Sequence, residues 1–422
     1  ALFGGEVSRA PSTAEMSLRS RGATSVSPPC GAESASHCVL QRVKAHGEGR
    51  EAYSSLRAVQ TLDAAASGPV FRVRFSPDGS FLVAASDDGS VRLWALRSGG
   101  TRSADVFDSA PRHVWTGHTG AVIDVSVSRA GLVLSASLDR TVRLWHASRA
   151  ECLGVFRHPD AVTSVAFHPR DERVFASGCL DCRLRLWSAA ARRVLEWKGL
   201  PPGNMVTAVS FSPGGRSVLA GTATGVLLVF DVALDGSGGG SLSYAPAVHV
   251  HSRRGRNRVG KKICAVRALP GGAPGDARVL VSSNDSRLRL YALSDRALLA
   301  KYVGHANAAS HIDASFSDDG ERIVAGSEDG RVYLWDAEDR RGDGADGDKG
   351  ESSARRGFWA CWLGRLLSRA GGSRRVRPAA SFEASTKAVS CAAFAPAAAA
   401  ARLQALGLRP ATAAGAPATL IV

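Results

Sequence analysis

The sequence has few cysteines and no long apolar segment, and both shortages narrow the class of protein. Eight cysteines in 422 residues are too few for a disulfide scaffold, and without a secretory signal they favour a reducing, cytosolic or nuclear setting. No uninterrupted apolar run reaches the roughly 18 residues that a membrane-spanning helix needs. One C-x-x-C pair, Cys179 and Cys182, lacks the second pair that would complete a zinc site. We therefore predict no disulfide scaffold, no metal and no membrane span.

The short motifs of the common enzyme classes are also missing. The sequence has no Walker-type phosphate loop, no G-x-S-x-G nucleophile turn and no H-E-x-x-H zinc helix. Its glycine-rich segment GSGGGS is followed by nothing that could hold a phosphate. The sequence predicts that the protein is not an enzyme and has no cofactor.

The N-terminal segment is low in periodicity. Residues 1–45 are rich in Ser, Ala, Arg and Gly, which predicts a disordered extension. The chain begins ALFGGEVSRA, without an initiator methionine, so we expect a fragment whose upstream region is missing.

What the sequence does contain is a repeat. Six segments end in an aromatic residue at intervals of 51, 42, 43, 61 and 44 residues, the fourth of them at Phe230 and the fifth at Tyr291. An aspartate stands six residues before the aromatic in five of them, and Thr224 replaces it in the fourth. These positions are Asp88 with Trp94, Asp139 with Trp145, Asp181 with Trp187, Asp285, and Asp329 with Trp335. Recurrence at this interval predicts one all-β unit used repeatedly.

Each unit also contains a run typical of an inner strand, and a seventh copy, KAVSCAAFAP, begins at Lys387. We predict an all-β, seven-bladed propeller over residues 58–422, with an insertion at 337–378. The alanine-rich tail would supply weak strands near Leu406 and Leu420, and Ala58–Leu62 would supply the outer strand of the last blade. Such closure removes exposed sheet edges.

The G-H pairs at Gly117-His118 and Gly304-His305, the pair Trp335-Asp336 and the turn aspartates identify these units as WD40 repeats. The phrases RRGRNRVGKKI, VSSNDSRLRLYAL and KYVGHANAASHIDASFS resemble the WD repeat-containing protein 44 family. That resemblance implies a C-terminal propeller in an effector of Rab GTPases, with the GTPase-binding segment upstream of the residues present.

The resemblance also implies a structural role for the residues that could otherwise suggest a catalytic site. In WD40 blades a loop His, a strand Ser, the turn Asp and the Trp form a hydrogen-bonded row. His118, Ser137, Asp139 and Trp145 match this row, as do His305, Ser327, Asp329 and Trp335. A His–Asp–Ser set could also serve nucleophilic catalysis, but an active site would occur once. In the third unit, Cys179 stands where the serine is expected, which predicts a weaker row.

The net charge of +15 favours a polyanionic binding partner, and several of the basic residues lie together in one run. Within residues 253–262 lie Arg253, Arg254, Arg256, Arg258 and Lys261, with no acidic residue. Such a run predicts a phosphoinositide or RNA contact, or alternatively a solvated connection between blades. The strand arginines Arg92, Arg143, Arg185 and Arg289 are predicted to be solvated instead.

A second departure from the repeat is FWACWLGRLL, within 355–377. Its spacing of aromatic and leucine residues predicts a short amphipathic helix, either on a membrane or partner or packed on the propeller rim.

The resemblance further places partner contacts on the face usually called the top. The mapped positions are Phe71, Ile123, Leu138, Leu180 and Met205, which form an apolar arc, with Lys262, His311 and Glu328 as a polar remainder. An apolar cluster with a polar rim is typical of a partner site, although each of these residues could equally be an ordinary strand residue.

Together these features predict a monomeric, non-catalytic protein-interaction scaffold linked to Rab-dependent vesicle traffic, located in the cytoplasm and peripherally on endosomal membranes. The alternative is a polyanion-binding propeller that acts through residues 253–262.

Overall fold

The chain divides into two compact units, Ala1–His37 and Cys38–Val422. The computed structural model describes residues 43–45, 60–62, 68–97, 106–235, 239–250, 260–270, 277–337, 374–396, 399 and 420–421. All of them lie in the second unit. Within the described ranges there is no helix with the length and hydrophobicity needed to cross a bilayer. The first strand, β1, is Val43–Ala45.

Four blades are four-stranded antiparallel sheets whose strands follow one another in chain order. Their inner strands are neighbours from one blade to the next, which is the arrangement of a propeller. Blade 1 contains β2 (Val70–Phe75), β3 (Phe81–Ser86), β4 (Val91–Ala95) and β5 (His113–Trp115). Blade 2 contains β6 (Val122–Val127), β7 (Leu132–Ser137), β8 (Thr141–His146) and β9 (Gly154–Arg157). Blade 3 contains β10 (Val162–Phe167), β11 (Val174–Cys179), β12 (Arg183–Ser188) and β13 (Arg193–Gly199). Blade 4 contains β14 (Val206–Phe211), β15 (Ser217–Thr222), β16 (Val226–Leu234) and β17 (Gly240–His249).

Two further blades have five strands. Blade 5 contains β18 (Ile263–Ala268), β19 (Arg278–Ser283), β20 (Arg287–Ala292) and β21 (Leu298–Tyr302), with β25 (Arg374–Val376) added parallel to β21. Blade 6 contains β22 (Ala314–Phe316), β23 (Arg322–Ala325), β24 (Arg331–Asp336) and β26 (Ala380–Glu383), with β1 added antiparallel to β26. The described strands therefore begin at Val43, upstream of the predicted boundary at residue 58, and the predicted insertion 337–378 contains β25.

The blades form because their middle strands are apolar on both faces. Every residue of β3 and of β11 is buried, since each blade packs against a neighbour on either side. Between blades 1 and 2 the rings of Trp115 and Trp145 stack at 5.5 Å. Burying a large apolar side chain contributes about 1.5–3 kcal/mol, so these interfaces account for much of the stability of the ring.

The number of blades differs from the prediction: the described residues form six sheets of four or five strands, where seven were predicted. The remaining sheet has two strands, β27 (Ala393–Phe394) and β28 (Leu420–Ile421), which pair antiparallel. β27 lies in the predicted seventh inner run and β28 at the strand predicted near Leu420, whereas Leu406 is outside the described residues.

The outer strand predicted for Ala58–Leu62 is not formed by its described residues, Gln60–Leu62. The Gln60 side-chain amide instead donates to the carbonyl of Phe107 at 2.8 Å and accepts from the backbone N–H of Val106 and of Phe107. Leu62 packs in the cluster that contains Trp94 of blade 1. This segment is therefore held against blade 1 because the Gln60 amide satisfies backbone groups there.

Candidate functional site: the hydrogen-bonded rows and the face they support

Blade 2 contains the row that most resembles a catalytic triad. His118 Nδ1 donates to Asp139 Oδ2 at 2.8 Å, and Ser135 Oγ donates to His118 Nε2 at 2.7 Å. Trp145 Nε1 donates to the same Ser135 Oγ at 2.9 Å. Burial lowers the pKa of His118 against the opposing effect of Asp139, which keeps the imidazole neutral, as this order of donors requires.

The serine of this row is not the predicted one. Ser137 Oγ donates to the carbonyl of Gly120 at 2.9 Å and accepts from the Asp139 N–H, so it holds the turn. Ser135 lies two residues earlier on the same face of β7, because side chains alternate along a strand, and that places it level with the indole.

In blade 3, where Cys179 predicted a weaker row, the His–Ser–Trp part of the row is present, but the turn aspartate Asp181 bonds Arg185 and not the histidine. His158 Nε2 and Trp187 Nε1 both bond Ser177 Oγ, at 2.8 and 2.9 Å, and His158 Nδ1 donates to the carbonyl of Phe156. Cys179 Sγ donates to the Asp160 carbonyl instead, at 3.2 Å. The serine that matters again stands ten residues before the tryptophan, so Cys179 does not weaken the row.

Blade 6 lacks that serine, and the row predicted there is broken. The position ten residues before Trp335 is Ala325, and neither ring nitrogen of the buried His305 has a hydrogen-bond partner. Ser327 hydrogen-bonds to Ala306, and Asp329 accepts from the hydroxyl of Tyr333 at 2.7 Å. Trp335 Nε1 therefore donates to the Val303 carbonyl at 3.2 Å.

The same substitution occurs in blade 1. Ala84 stands ten residues before Trp94, and the buried Trp94 Nε1 has no partner. An unsatisfied buried donor costs about 1–3 kcal/mol, so blades 1 and 6 have weaker polar rows than blades 2 and 3.

The turn aspartates of blades 1, 3 and 5 pair with an arginine four residues later. Arg92 bonds Asp88 at 2.9 Å, and the corresponding pairs are Arg185–Asp181 and Arg289–Asp285. These three arginines are buried, so the prediction that they are solvated is wrong; the charge is tolerated inside because each guanidinium meets a carboxylate. In Asp285 burial opposes ionisation, but the hydrogen bonds and charge of Arg289 outweigh it and lower the pKa.

The inner strands are joined from blade to blade by hydroxyl groups. Thr163 Oγ1 donates to the Val206 carbonyl at 2.6 Å, and Thr207 Oγ1 donates to the Ile263 carbonyl at 2.7 Å. Both threonines occupy a β-bulge, where the extra residue turns its side chain toward the next blade.

An ionic cluster also joins blades 1, 2, 5 and 6. Asp313 meets Arg72 at 2.7 Å, Arg74 at 2.6 Å and Arg267 at 2.7 Å. Arg72 also lies 3.0 Å from Asp124, through an Nε–H that is not aligned for a hydrogen bond. Burial opposes ionisation of Asp313, but the adjacent guanidinium groups hold its pKa below the usual range. Removing one partner would leave an uncompensated buried charge.

The predicted apolar arc lies at the ends of the blades where the inner strands begin. Leu138 is 45% exposed and Met205 is 38% exposed, while Phe71, Ile123 and Leu180 are half-buried. Phe71 and Ile123 occupy the same bulge positions as Thr163 and Thr207, without a hydroxyl.

Two of the polar residues predicted for this face, His311 and Glu328, have internal partners. His311 Nε2 lies 2.9 Å from Arg72, and burial together with Arg72 and Lys262 lowers its pKa to about 3. The Glu328 carboxylate accepts from the N–H groups of Ala309 and Ser310 at 2.8 and 2.7 Å. Burial is the largest single effect on Glu328 and opposes its ionisation, but the hydrogen bonds together outweigh it and lower the pKa of Glu328 to about 2. The same bonds hold the 308–310 loop in place. Lys262 is half-buried. Partner binding by His311, Glu328 and Lys262 stays a prediction.

Most of the basic run and the aromatic insertion lie outside the described residues. Arg253, Arg254, Arg256 and Arg258 are among them, as is FWACWLGRLL, while Lys261 is described and exposed. In the described ranges no group of three His, Cys, Asp or Glu side chains could hold a metal ion.

Comparisons with known proteins find WD40 repeats in this chain and similarity to WD repeat-containing proteins. The family described as WD domain, G-beta repeat, matches residues 56–95, 109–146, 150–188 and 296–336. WD repeat-containing protein 44 of Xenopus laevis is 37% identical over 338 residues, which cover 69% of this chain and 36% of that protein. An uncharacterized WD repeat-containing protein of Schizosaccharomyces pombe is 32% identical over 63% of this chain and 47% of its own length. The 2-deoxy-glucose resistant protein 2 of Saccharomyces cerevisiae is 29% identical over 55% of this chain and 28% of its own length. The chain thus spans less than half the length of each of these relatives.

Proposed function

We propose, from the premise that this chain is a WD40-repeat propeller, that it is a non-catalytic protein-interaction scaffold that acts in Rab-GTPase-linked vesicle trafficking. The observation that carries the proposal is that Leu138 and Met205 are exposed at the ends of the blades. Polar side chains predicted for the same face, His311 and Glu328, bond to other groups of the protein instead. A cytoplasmic location with peripheral attachment to endosomal membranes belongs to the same proposal.

The geometry of the rows supports a scaffold over an enzyme. The Ser135 side chain is fully buried, and its oxygen is bonded to His118 and to Trp145. A serine nucleophile must reach a substrate carbonyl, which this one cannot do without opening the blade. The equivalent row in blade 3 is buried in the same way, at Ser177.

The link to trafficking is supported by the similarity to WD repeat-containing protein 44, of which this chain covers 36%. The test is a pull-down of a panel of purified Rab GTPases, loaded with a non-hydrolysable GTP analogue or with GDP, by the protein and by its Leu138→Asp and Met205→Asp variants. Nucleotide-selective capture that both variants abolish supports a top-face contact. Capture that neither variant changes would move the contact elsewhere. No selective capture, either by this chain or by a longer form that includes the upstream segment, would refute the trafficking proposal.

The alternative is polyanion binding through residues 253–262. It is supported by the exposed Lys261. In addition, blade 4 has Thr224 at the position of the turn aspartate of the other repeats, so it lacks the carboxylate that could neutralise nearby cations there. Replacing Arg253, Arg254 and Arg256 by Gln should then reduce retention on phosphoinositide vesicles or RNA, in a salt-dependent manner. Unchanged retention would discard this alternative.

We also propose that β27 and β28 are the inner part of a seventh blade. The support is a repeated contact: Ser390 Oγ donates to the Val70 carbonyl of blade 1 at 2.7 Å, as Thr163 donates to Val206 of blade 4. On the other side, the Asp313 N–H of blade 6 donates to the Ser390 carbonyl at 3.0 Å. The segment that contains Ser390 therefore bridges blades 6 and 1.

A further inference from the structure

The ionic cluster on the inner strands contains more positive than negative groups. The charged residues of the described inner strands are Arg72 and Arg74 of β2, Asp124 of β6 and Arg267 of β18, with Asp313 immediately before β22. Three guanidinium groups therefore meet two carboxylates. His311, which lies 2.9 Å from Arg72, adds no charge, because burial and neighbouring cations lower its pKa to about 3. The cluster thus carries one uncompensated positive charge.

The three arginines converge on one atom. Asp313 Oδ2 lies 2.6 Å from Arg74 Nη2 and 2.7 Å from Arg267 Nη2. Arg72 Nη1 approaches the same oxygen at 2.7 Å. Because the guanidinium groups share this oxygen, they lie side by side, although their strands belong to blades 1 and 5.

Neither carboxylate is free to balance the surplus charge. Asp313 Oδ1 accepts from a backbone N–H at 2.9 Å and from Arg267 Nε–H at 3.2 Å. One oxygen of Asp124 lies 3.0 Å from Arg72, and the other accepts from the Ser164 hydroxyl at 2.7 Å. Charges removed from bulk water are normally paired. The surplus charge of this cluster therefore calls for an anion that the described side chains do not supply.

Two of the arginines can be reached by solvent. The side chain of Arg267 is 25% exposed and that of Arg74 is 17% exposed, whereas Arg72 and Asp313 are buried. Arg267 donates to Asp313 through Nε and Nη2, and among the described residues nothing accepts from its Nη1. The inner strands of a propeller surround its central channel, so an anion in the channel could meet these donors.

We propose that Arg74 and Arg267 bind a phosphate group at the central channel, and that its negative charge completes the cluster. Adjacent guanidinium groups offer several N–H donors in fixed planes, which suit the oxygens of a phosphate. The site is separate from residues 253–262. The proposal depends neither on the Rab function nor on the polyanion alternative.

The test is equilibrium dialysis of radiolabelled inorganic phosphate against the full chain. Arg267→Gln should weaken binding about tenfold, because it removes one guanidinium fork and the surplus charge. The matched control is Arg173→Gln, which removes an arginine that pairs with Asp171 at 2.9 Å on the exposed surface. It should leave the affinity unchanged, as should replacement of Arg253, Arg254 and Arg256 by Gln. Displacement of the label by glycerol phosphate would assign the site to phosphate esters, and resistance to it would assign the site to inorganic phosphate.

Urea unfolding with and without phosphate separates loss of binding from loss of fold. Arg267→Gln leaves Asp313 paired with Arg72 and Arg74, so the variant should fold. Phosphate should raise the urea midpoint of the wild type more than that of the variant, since the general stabilising effect of phosphate salts is common to both. Arg267→Lys, which keeps the charge and loses the fork, should still weaken binding and serves as the comparison where the Gln variant does not fold.

Three results would overturn the proposal. The first is phosphate binding that Arg267→Gln and Arg267→Lys leave unchanged. The second is binding that is lost equally when Arg253, Arg254 and Arg256 are replaced, which would assign the phosphate to the basic run. The third is binding that chloride abolishes at physiological ionic strength, which would indicate a diffuse counter-ion instead of a phosphate site.

Discussion

Replacing Ser135 by alanine tests whether the polar row of blade 2 stabilises the propeller. The substitution removes one oxygen that serves two buried groups, the acceptor His118 Nε2 at 2.7 Å and the donor Trp145 Nε1 at 2.9 Å. It changes no charge and creates a space no larger than a hydroxyl. The decrease in the free energy of unfolding should therefore come almost entirely from the lost hydrogen bonds.

The magnitude follows from leaving two buried polar groups without partners. Each such group costs about 1–3 kcal/mol, and because one water could enter the vacated space and serve both, we expect a loss of about 2–4 kcal/mol. Blades 1 and 6 carry this alanine naturally, at Ala84 and Ala325, and the orphaned Trp94 indole and His305 ring show its consequence.

The assay is urea unfolding, with the midpoint and the slope fitted for the wild type and the variant. The matched control is Ser148→Ala, in the exposed turn after β8 of the same blade, which should change the free energy of unfolding by less than about 0.5 kcal/mol. A loss of less than about 0.5 kcal/mol for Ser135→Ala would refute the reasoning.

Three further predictions concern stability. Ala325→Ser should give the orphaned His305 ring a partner and raise the free energy of unfolding by about 1 kcal/mol; an unchanged urea midpoint would contradict this. Ser390→Ala should speed hydrogen exchange of the 389–394 amides more than that of blade 2 amides; equal protection in both would contradict the bridging role of Ser390. Burial, aided by Arg185, lowers the pKa of His158 from its usual 6.5 to about 4, so below about pH 6.5 the unfolded chain binds a proton that the folded chain does not. Melting temperature should therefore fall between about pH 6.5 and 4, and His158→Gln should flatten that fall; parallel curves would refute the assignment.

The repeat was predictable from the sequence because its signal recurs. Turn aspartates and closing aromatics mark the second and third strands of each blade, and the structure has β3–β4, β7–β8 and their equivalents at those positions. The row serines were missed, although Ser135 and Ser177 both stand ten residues before a tryptophan. Counting back from each tryptophan would have found them, together with the alanines that replace them.

The arginines were misjudged for a different reason. Alternation along each strand fixes the face of the sheet on which Arg92, Arg185 or Arg289 lies. It does not tell whether that face meets water or a neighbouring blade. The aspartate four residues earlier was visible, and the turn between two strands brings it back beside the arginine. Non-local contacts, such as Asp313 with Arg72, have no signal in one sequence because 241 residues separate them.

Two strands of the propeller come from segments outside the repeat, so the sequence did not predict them. β1 and β25 join blades 6 and 5 at their outer edges, and neither segment carries a repeat signal. Three-residue strands are too short for an alternating pattern to identify them. β27 and β28 have only two residues each, yet they lie in the predicted seventh inner run and at the strand predicted near Leu420.

The central claim is that repeated residues hold the blades while exposed residues at their ends bind partners. It is tested most directly by quantitative mass spectrometry of the proteins that co-purify with the wild type, with Ser135→Ala and with a Leu138→Asp, Met205→Asp double variant. We predict that the double variant keeps the wild-type urea midpoint and loses specific partners, whereas Ser135→Ala lowers the midpoint and keeps them at temperatures where it is folded. A double variant that retains every partner would contradict the claim.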